Sequence, residues 1–436
     1  MSRSGERLRR AARAVAEHPP PGPFRRPFWR SPLRGPWLTA VFGFVLLIGV
    51  TVVFVTGLLS YAAYDPRLPG NDLTPHKGAL GYYLFTWPTH PYWLYRLTQG
   101  VHVTLGLVLV PVLLAKLWSV IPKLFDWPPA VSPAQALERL SLVLLVGGAV
   151  FEFATGILNV QLEYIFPGSF YTLHFYGAWV FIAAFVVHVA LKLRRMVTAL
   201  RSRSLRTELA TPLARTEPEP PDPDRLVSPD PALPTISRRG VLGLVAAGSL
   251  TMFGLTVGQS LGGPFRRLAL LAPHGQSAGS GPNDFQVNKT AAGVGIRTEM
   301  TQAKWRLELR GAAGTVELSR EQLLAMPQHH ARLPIACVEG WSTTDQAWTG
   351  VPLRELARLV GSSRHPSLHV ESLEKHGTFR AARLAPNQVM HPDSLLALRV
   401  NGADLSLDHG FPARVIVPAA PGVHNTKWVR RLTFEG

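Results

Sequence analysis

The stretch Thr172-Leu-His-Phe-Tyr-Gly-Ala-Trp-Val-Phe-Ile-Ala-Ala-Phe-Val-Val-His-Val-Ala-Leu191 contains no Asp, Glu, Lys or Arg. Its length matches the roughly 20 apolar residues that a helix needs to cross a bilayer. Four further apolar stretches are long enough as well, so we predict five transmembrane helices. The other four run approximately from Trp37 to Leu59, Val101 to Ile121, Leu140 to Val160 and Gly240 to Leu261.

Histidines inside these spans indicate function, because a polar side chain in hydrocarbon is costly. His174 and His188 are 14 residues apart, which on an α-helix is about 21 Å along the axis and nearly the same face. His102 lies near the outer end of the second span, at the depth of His174. Neutral imidazole is a common axial ligand of haem iron. We therefore predict that His102 and His174 hold an outer b haem, and that His188 ligates an inner one.

This histidine pattern leaves alternatives open. The inner haem lacks an evident second ligand, because Lys116 occupies the position 14 residues after His102. Each imidazole could instead form a hydrogen bond to a neighbouring helix. His76 and His90, in the outer loop, are expected to be surface residues, with His90 as a fallback ligand. A four-span bundle with histidines on its second and fourth spans resembles the membrane cytochrome b family that serves hydrogenases and formate dehydrogenases.

The charge of the chain points to a membrane and not to nucleic acid. The 436 residues carry a formal net charge of +17, yet only 17% are charged, below the roughly 25% of soluble domains. The arginine clusters adjoin the spans and lack the interleaved aromatic residues that stack on bases. Basic residues concentrate on one side of the spans, which predicts a cytoplasmic N-terminus. The clusters include Arg3, Arg7, Arg9, Arg10, Arg13, Arg25, Arg26, Arg30, Arg34, Lys192, Arg194, Arg195, Arg201, Arg203 and Arg206.

The predicted organisation is a multi-pass protein of the cell membrane with an extracytoplasmic C-terminal domain. We predict a basic tail (1–36), a cytochrome b-like four-helix bundle (37–195), a cytoplasmic linker (196–239), an anchor helix (240–262) and the exported domain (264–436). The linker contains a proline-rich acidic run, 216–224, that cannot form a core of its own. Arg238 and Arg239 precede an apolar run and resemble a twin-arginine export signal. An ordinary positively flanked anchor is the alternative.

The pattern of short strands and helices predicted in the exported segment is typical of an α+β domain. Strand-like runs include Trp305 to Leu309 and Arg414 to Val417. Helices are predicted for Ser319 to Ala325, where Ser319 and Gln322 have the spacing of a capping box, and for Pro352 to Val360. Its lone cysteine, Cys337, excludes an intrachain disulfide and any metal site built on several thiolates. A single cysteine is often simply a buried apolar residue.

The surroundings of the cysteine give a more specific interpretation. The segment Cys337-Val-Glu-Gly-Trp-Ser342, followed by Trp348-Thr-Gly-Val-Pro-Leu-Arg-Glu-Leu356, resembles the cysteine loop of the sulfite-oxidase family of molybdenum enzymes. The resemblance implies that the Cys337 thiolate ligates molybdenum held by a molybdopterin. A soft thiolate suits such a metal. In this family a reductase-like Cys-x-Glu pattern would also direct Glu339 toward the open face of the metal, although Glu339 could equally be a solvated loop carboxylate.

Two further blocks resemble the same family. Asn401-Gly402, His409-Gly-Phe-Pro-Ala-Arg414 and Asn425-Thr-Lys-Trp428 resemble its C-terminal pterin-binding stretch. A fork-shaped arginine and a point-charge lysine are natural phosphate anchors. Gly281-Pro-Asn-Asp-Phe-Gln-Val-Asn-Lys289 resembles the entry segment of the periplasmic methionine-sulfoxide reductase catalytic subunit. The implied cofactor-binding residues are Asn283, Phe285, His409, Arg414, Asn425, Thr426 and Lys427.

Together the two halves imply a membrane-bound molybdenum oxidoreductase. It would exchange electrons between the quinone or quinol pool and a small oxygen-transfer substrate through b haem, as an S-oxide or N-oxide reductase. The sparse basic residues just before Cys337 and the lack of a C-terminal dimerisation domain favour this branch of the family. The alternatives are a sulfite-type dehydrogenase that passes electrons into the membrane, and a non-enzymatic membrane sensor that retains the domain.

Overall fold

A computed structural model describes residues 18–71, 85–128, 132–160, 169–222, 225–272, 281–377 and 379–436. These residues form two compact units. The first unit comprises the described residues within Met1–Val52, Leu105–Gly156 and Leu173–Met252, and the second those within Val53–Thr104, Ile157–Thr172 and Phe253–Gly436. His76 and the arginines of the first 17 residues lie outside the described part of the chain.

The N-terminal part of the chain is helical, as predicted. Five of the described helices are long and apolar enough to cross a membrane. Each of the first four begins before its predicted apolar stretch, and all of them except the third also end after it. The helices are α1 (Pro36–Ala63), α2 (Leu94–Leu124), α3 (Pro133–Asn159), α4 (Phe170–Arg201), the short α5 (Leu205–Ala210) and α6 (Arg238–Thr256).

In the first unit, the predicted linker is packed and not merely a tether. Glu219, within the proline-rich run, is only 6% exposed, and its backbone N–H donates to Pro32 O at 2.9 Å. Arg238 is 3% exposed and lies 2.7 Å from the Glu219 carboxylate. Arg203 and Glu208 complete the ion-pair network. The run forms no apolar core, but its carboxylate joins a buried network at the start of α6.

The second unit contains two five-stranded sheets among the described residues. One sheet has the order β2-β1-β10-β5-β6 and the other β3-β4-β7-β8, with β9 also paired to β7. Only β1 and β10 pair in parallel within these sheets. The strands are β1 (Leu307–Gly311), β2 (Gly314–Leu318), β3 (His329–Leu333), β4 (Gln346–Pro352), β5 (Ser367–Ser372), β6 (Ala381–Leu384), β7 (Leu395–Val400), β8 (Ala403–Asp404), β9 (Arg414–Ile416) and β10 (Val429–Glu435).

The short helix α7 (Gly258–Leu261) precedes β1, and three short helices connect strands: α8 (Arg320–Ala325), α9 (Leu353–Leu359) and α10 (Pro386–Val389). The predicted capping box is confirmed at α8, since Gln322 N donates to Ser319 Oγ at 3.2 Å and Ser319 N to Gln322 Oε1 at 2.7 Å. The C-terminal part is therefore β-rich with short helices, within the predicted α+β class.

Strand β7 determines where the candidate site lies. Its first four residues, Leu-Leu-Ala-Leu, are all fully buried. Because alternate strand residues face opposite sides, Leu396 and Leu398 join the core shared by the two sheets, while Leu395 and Ala397 join a second cluster that includes Cys337. The sheet that contains β7 is therefore covered on both faces, and Cys337 packs on the face to which Leu395 and Ala397 point.

Candidate active site

Cys337 lies in a tight loop after β3, and we call residues 336–342 the cysteine loop. The thiol residue is 2% exposed. Its backbone N–H donates to Trp341 O at 2.9 Å and its carbonyl accepts from Gly340 N at 3.1 Å. Gly340 has φ +92°, a left-handed conformation that suits glycine. A Cβ on Gly422 would lie 3.1 Å from Ala336 O, so a side chain at this position would press on the cysteine loop.

Polar groups surround the thiol within its mainly apolar cluster. Glu339 Oε2 lies 3.5 Å from Cys337 Sγ and accepts from Trp341 Nε1 at 2.7 Å. Asn288 belongs to the entry segment, and its Nδ2 lies 3.8 Å from the sulfur. Burial, together with the Glu339 carboxylate, raises the pKa of the Cys337 thiol well above its usual value. The thiolate therefore needs a nearby cation, which a bound metal ion would supply.

Two buried cations lie in the C-terminal block. Arg414 is 4% exposed; its Nη1 donates to His409 O at 3.2 Å, while its Nε has no hydrogen-bond partner among the described residues. Lys427 Nζ donates to Lys289 O at 2.7 Å and Asp408 O at 2.8 Å. Burial lowers the pKa of Arg414 to about 9, and that of Lys427 well below its usual value. Such buried positive charge favours an anionic ligand.

His409, Phe285 and Asn283 form one packed group. The His409 ring stacks on Phe285 with centroids 3.7 Å apart, and its Nε2 lies 2.9 Å from Asn283 O. Both ends of the Asn283 side-chain amide are occupied, since Nδ2 donates to Asp404 O and Oδ1 accepts from Ser406 N. Phe285 is 2% exposed and packs in the cluster of Cys337. In this structure Asn283 and Phe285 therefore hold the loops in place, and their predicted cofactor contacts stay predictions.

The residues present fit a polar anionic cofactor. Asn425 Oδ1 is used internally, because it accepts from Val417 N at 2.8 Å. Thr426 Oγ1, His409 Nδ1 and Arg414 Nε are buried atoms that have no hydrogen-bond partner in the described part of the chain. Buried polar groups are nearly always paired in native proteins. Three unpaired ones within one segment, beside buried cations, suit a ligand that carries phosphate and pterin acceptors and donors.

His102, which belongs to the second unit, is fixed against α1. Its Nδ1 lies 2.9 Å from Val53 O and 3.4 Å from Thr56 Oγ1. A Cβ on Gly57 would meet its Cε1 at 3.0 Å, so the ring packs closely on that glycine. With Nδ1 held by α1, a haem iron would be ligated through Nε2.

His174 and His188 belong to the first unit, so the predicted pairing of His102 with His174 stays a prediction. His174 Nδ1 lies 3.2 Å from Glu152 Oε2 and 3.1 Å from Thr155 Oγ1, both on α3. A ligating histidine is commonly oriented by a carboxylate in this way. His188 lies on the same helix as His174, α4, and Lys116 lies on α2. Lys116 Nζ itself donates to Thr39 O at 2.7 Å.

Two site residues were missed by the sequence analysis. Asn288 lies within the quoted entry segment, but only the structure shows that it, and not Asn283, reaches the sulfur. Glu152 is 6% exposed and interrupts an apolar span, which is a signal that the sequence already carried. His90, the fallback ligand, instead has its Nδ1 3.3 Å from His391 Nε2.

Comparison with known proteins supports the identification of the C-terminal domain. Residues 294–436 match the family described as "Oxidoreductase molybdopterin binding domain". An uncharacterised oxidoreductase, YuiH of Bacillus subtilis, is 31% identical over 132 residues, which are 30% of this chain and 65% of the relative. Mouse mitochondrial sulfite oxidase is 30% identical over 158 residues, covering 30% of this chain and 29% of the relative.

A third relative is named as a subunit of a reductase. The putative protein-methionine-sulfoxide reductase subunit YedZ1 of Azospira oryzae is 29% identical over 140 residues, which are 31% of this chain and 50% of the relative. The chain thus covers less than two thirds of the length of each of these relatives. The predicted molybdopterin-dependent oxidoreductase domain is confirmed at residues 294–436, with sulfite oxidases among its homologues.

Proposed function

We propose that this protein is a membrane-bound oxidoreductase that uses quinol to reduce an S-oxide or N-oxide outside the cytoplasm. For a sulfoxide the reaction is QH2 + R2SO → Q + R2S + H2O. The single observation that carries the proposal is the buried Cys337 thiol, with Glu339 and Asn288 beside its sulfur. The buried Arg414 and Lys427 supply the complementary anion site.

The protein residues divide the work between binding and proton handling. When bound, a molybdenum–pterin group would exchange an oxygen atom and two electrons with the substrate. Cys337 would hold the metal, and Arg414 and Lys427 would hold the pterin phosphate. Trp341 Nε1 fixes Glu339 Oε2 at 2.7 Å, which positions that oxygen to deliver or accept the proton that oxygen transfer requires.

The membrane part would supply the electrons. The five apolar helices support insertion into a bilayer, and the basic residues that flank α1 and follow α4 support a cytoplasmic N-terminus. Each of His102 and His174 would ligate haem iron through Nε2, since its Nδ1 is engaged by a neighbouring helix. A second haem at His188 is the finer prediction, and its other ligand is the residue still to be identified.

The test starts with the purified full chain, anaerobic and with its haem reduced by a quinol analogue. A panel of S-oxides and N-oxides is added, and haem reoxidation is followed by absorbance, alongside the molybdenum content. We expect at least one S-oxide or N-oxide to reoxidise the haem. Cys337→Ser should lose this reoxidation and the bound molybdenum while keeping the haem spectrum. A wild-type protein without molybdenum, or a fully active Cys337→Ser variant, contradicts the proposal.

A second candidate is a sulfite-type dehydrogenase, which the relatives named sulfite oxidase favour. Electrons would then flow from the substrate into the membrane. The same preparation, started with oxidised haem and mixed with sulfite, separates the two directions. Haem reduction by sulfite without reoxidation by any S-oxide or N-oxide would select this candidate.

A further inference from the structure

The second unit brings the cysteine loop against the helix that carries His102. Ala336, the residue before Cys337, is buried in an apolar cluster with Ala62 and Ala63 at the end of α1 and with Tyr95 in the first turn of α2. Tyr95 is fully buried and Ala336 is 5% exposed. The loop that presents the thiol is therefore seated on the ends of two of the long helices.

Polar contacts fix the same loop to the second turn of α2. Gln99 is 6% exposed, and its Nε2 donates a hydrogen bond to Val338 O, the carbonyl directly after Cys337. A Cβ placed on Gly340 would lie 2.7 Å from Val103. Ser260 Oγ donates to Gly340 O at 2.6 Å. Gln99 of α2 and Ser260 of α7 thus hold the carbonyls of the residues on either side of Glu339.

His102 lies on this turn. Residues three and four apart are neighbours on a helix surface, so Gln99 is a neighbour of both His102 and Val103 on α2. The path from sulfur to imidazole consists of covalent bonds through Cys337 and Val338, one hydrogen bond to Gln99, and one turn of α2. Electrons cross covalent and hydrogen bonds with less loss of coupling than van der Waals gaps.

We propose that residues 99–103 of α2 form the electron-transfer contact between a haem held by His102 and a metal held by Cys337, with the Gln99–Val338 hydrogen bond as its main link. This inference rests on the proposed function. Two electrons would cross per substrate, one at a time, from iron, which is oxidised, to the molybdenum centre, which is reduced. No bond in the protein forms or breaks. Gln99 acts here as a positioning residue.

The test compares Gln99→Leu with a matched control, Asn71→Leu. Leucine keeps most of the side-chain volume but cannot donate. Asn71 makes the same kind of bond, since its Nδ2 donates to Arg383 O at 2.7 Å, and it also joins the 53–104 segment to the C-terminal domain. Asn71 is 3% exposed, so both substitutions remove a buried amide.

The measurement is the rate of haem reoxidation in a single turnover after rapid mixing with a saturating S-oxide or N-oxide, identified as above. We expect this rate to fall severalfold in Gln99→Leu and to stay at the wild-type value in Asn71→Leu, with haem potential and molybdenum content unchanged in both. An unchanged rate in a Gln99→Leu protein that retains both cofactors overturns the inference. A wild-type protein that lacks haem or molybdenum instead contradicts the proposed function.

A second readout does not depend on the cofactors. Amide hydrogen exchange in the cysteine loop should accelerate in Gln99→Leu, and also in Ser260→Ala, which removes the bond to Gly340 O. Asn71→Leu should leave exchange in this loop unchanged. If Gln99→Leu does not fold, Gln99→Met, which also removes the donor, takes its place in the kinetic experiment. Equal loop protection in Ser260→Ala and wild type would show that α7 does not hold the loop, and equal protection in Gln99→Leu would show the same of α2.

Discussion

Replacing Arg414 with methionine should separate the stability of the protein from its ability to bind cofactor. Arg414 is 4% exposed, and its guanidinium forms one hydrogen bond to the described residues, to His409 O at 3.2 Å. Losing that bond costs about 1.5–3 kcal/mol. Removing a buried charge returns a desolvation penalty of several kcal/mol. The two effects oppose each other, so the cofactor-free variant should be about as stable as cofactor-free wild type.

Cofactor binding should change much more than stability. A charge-assisted hydrogen bond to the pterin phosphate is worth about 1.5–3 kcal/mol, which corresponds to roughly 10- to 150-fold in affinity. The assay measures molybdenum and pterin per protein after dialysis, and thermal unfolding of protein made in a host that lacks the cofactor. Arg332→Met is the matched control, because Arg332 is an exposed arginine on β3. Wild-type cofactor retention in Arg414→Met, or a loss of stability of several kcal/mol, would refute the reasoning.

Three further substitutions test other parts of the structure. Glu152→Gln should raise the reduction potential of a haem ligated by His174, because the carboxylate no longer strengthens the imidazole as a donor; an unshifted potentiometric titration would count against this role. Glu219→Gln should lower the free energy of unfolding by about 3–5 kcal/mol, because it leaves a buried positive charge uncompensated. The control Glu355→Gln removes a carboxylate from a more exposed ion pair and should cost at most about 1 kcal/mol. Chemical denaturation of both variants measures the difference. Gly422→Val should push on the cysteine loop and cost about 1–3 kcal/mol, with a lower molybdenum content at unchanged haem content; normal molybdenum loading would show that the loop accommodates the side chain.

Much of the architecture was predictable from local patterns. The apolar runs identified all five long helices, because a span needs only length and hydrophobicity. The capping box at Ser319 identified the start of α8, since both of its hydrogen bonds are local. The sequence around Cys337 identified the molybdopterin domain through its resemblance to a family. These features depend on residues that are close together along the chain.

The proline-rich run shows what composition leaves open. Its residues cannot form a core, and the sequence therefore predicted a linker. In the structure Glu219 is buried against Arg238, 19 residues further along. A single buried carboxylate does not alter composition, so only the folded chain could show this pairing.

The sequence by itself determined the helical and β-rich parts, the lone thiol and the basic residues of the anion site. Only the tertiary structure decided which entry-segment asparagine reaches the sulfur, that Glu152 contacts His174, and that the cysteine loop is seated on α2. Gln99 and Val338 are separated by 239 positions. Contacts of this kind depend on how distant segments pack, and the spacing of residues along one segment contains no record of them.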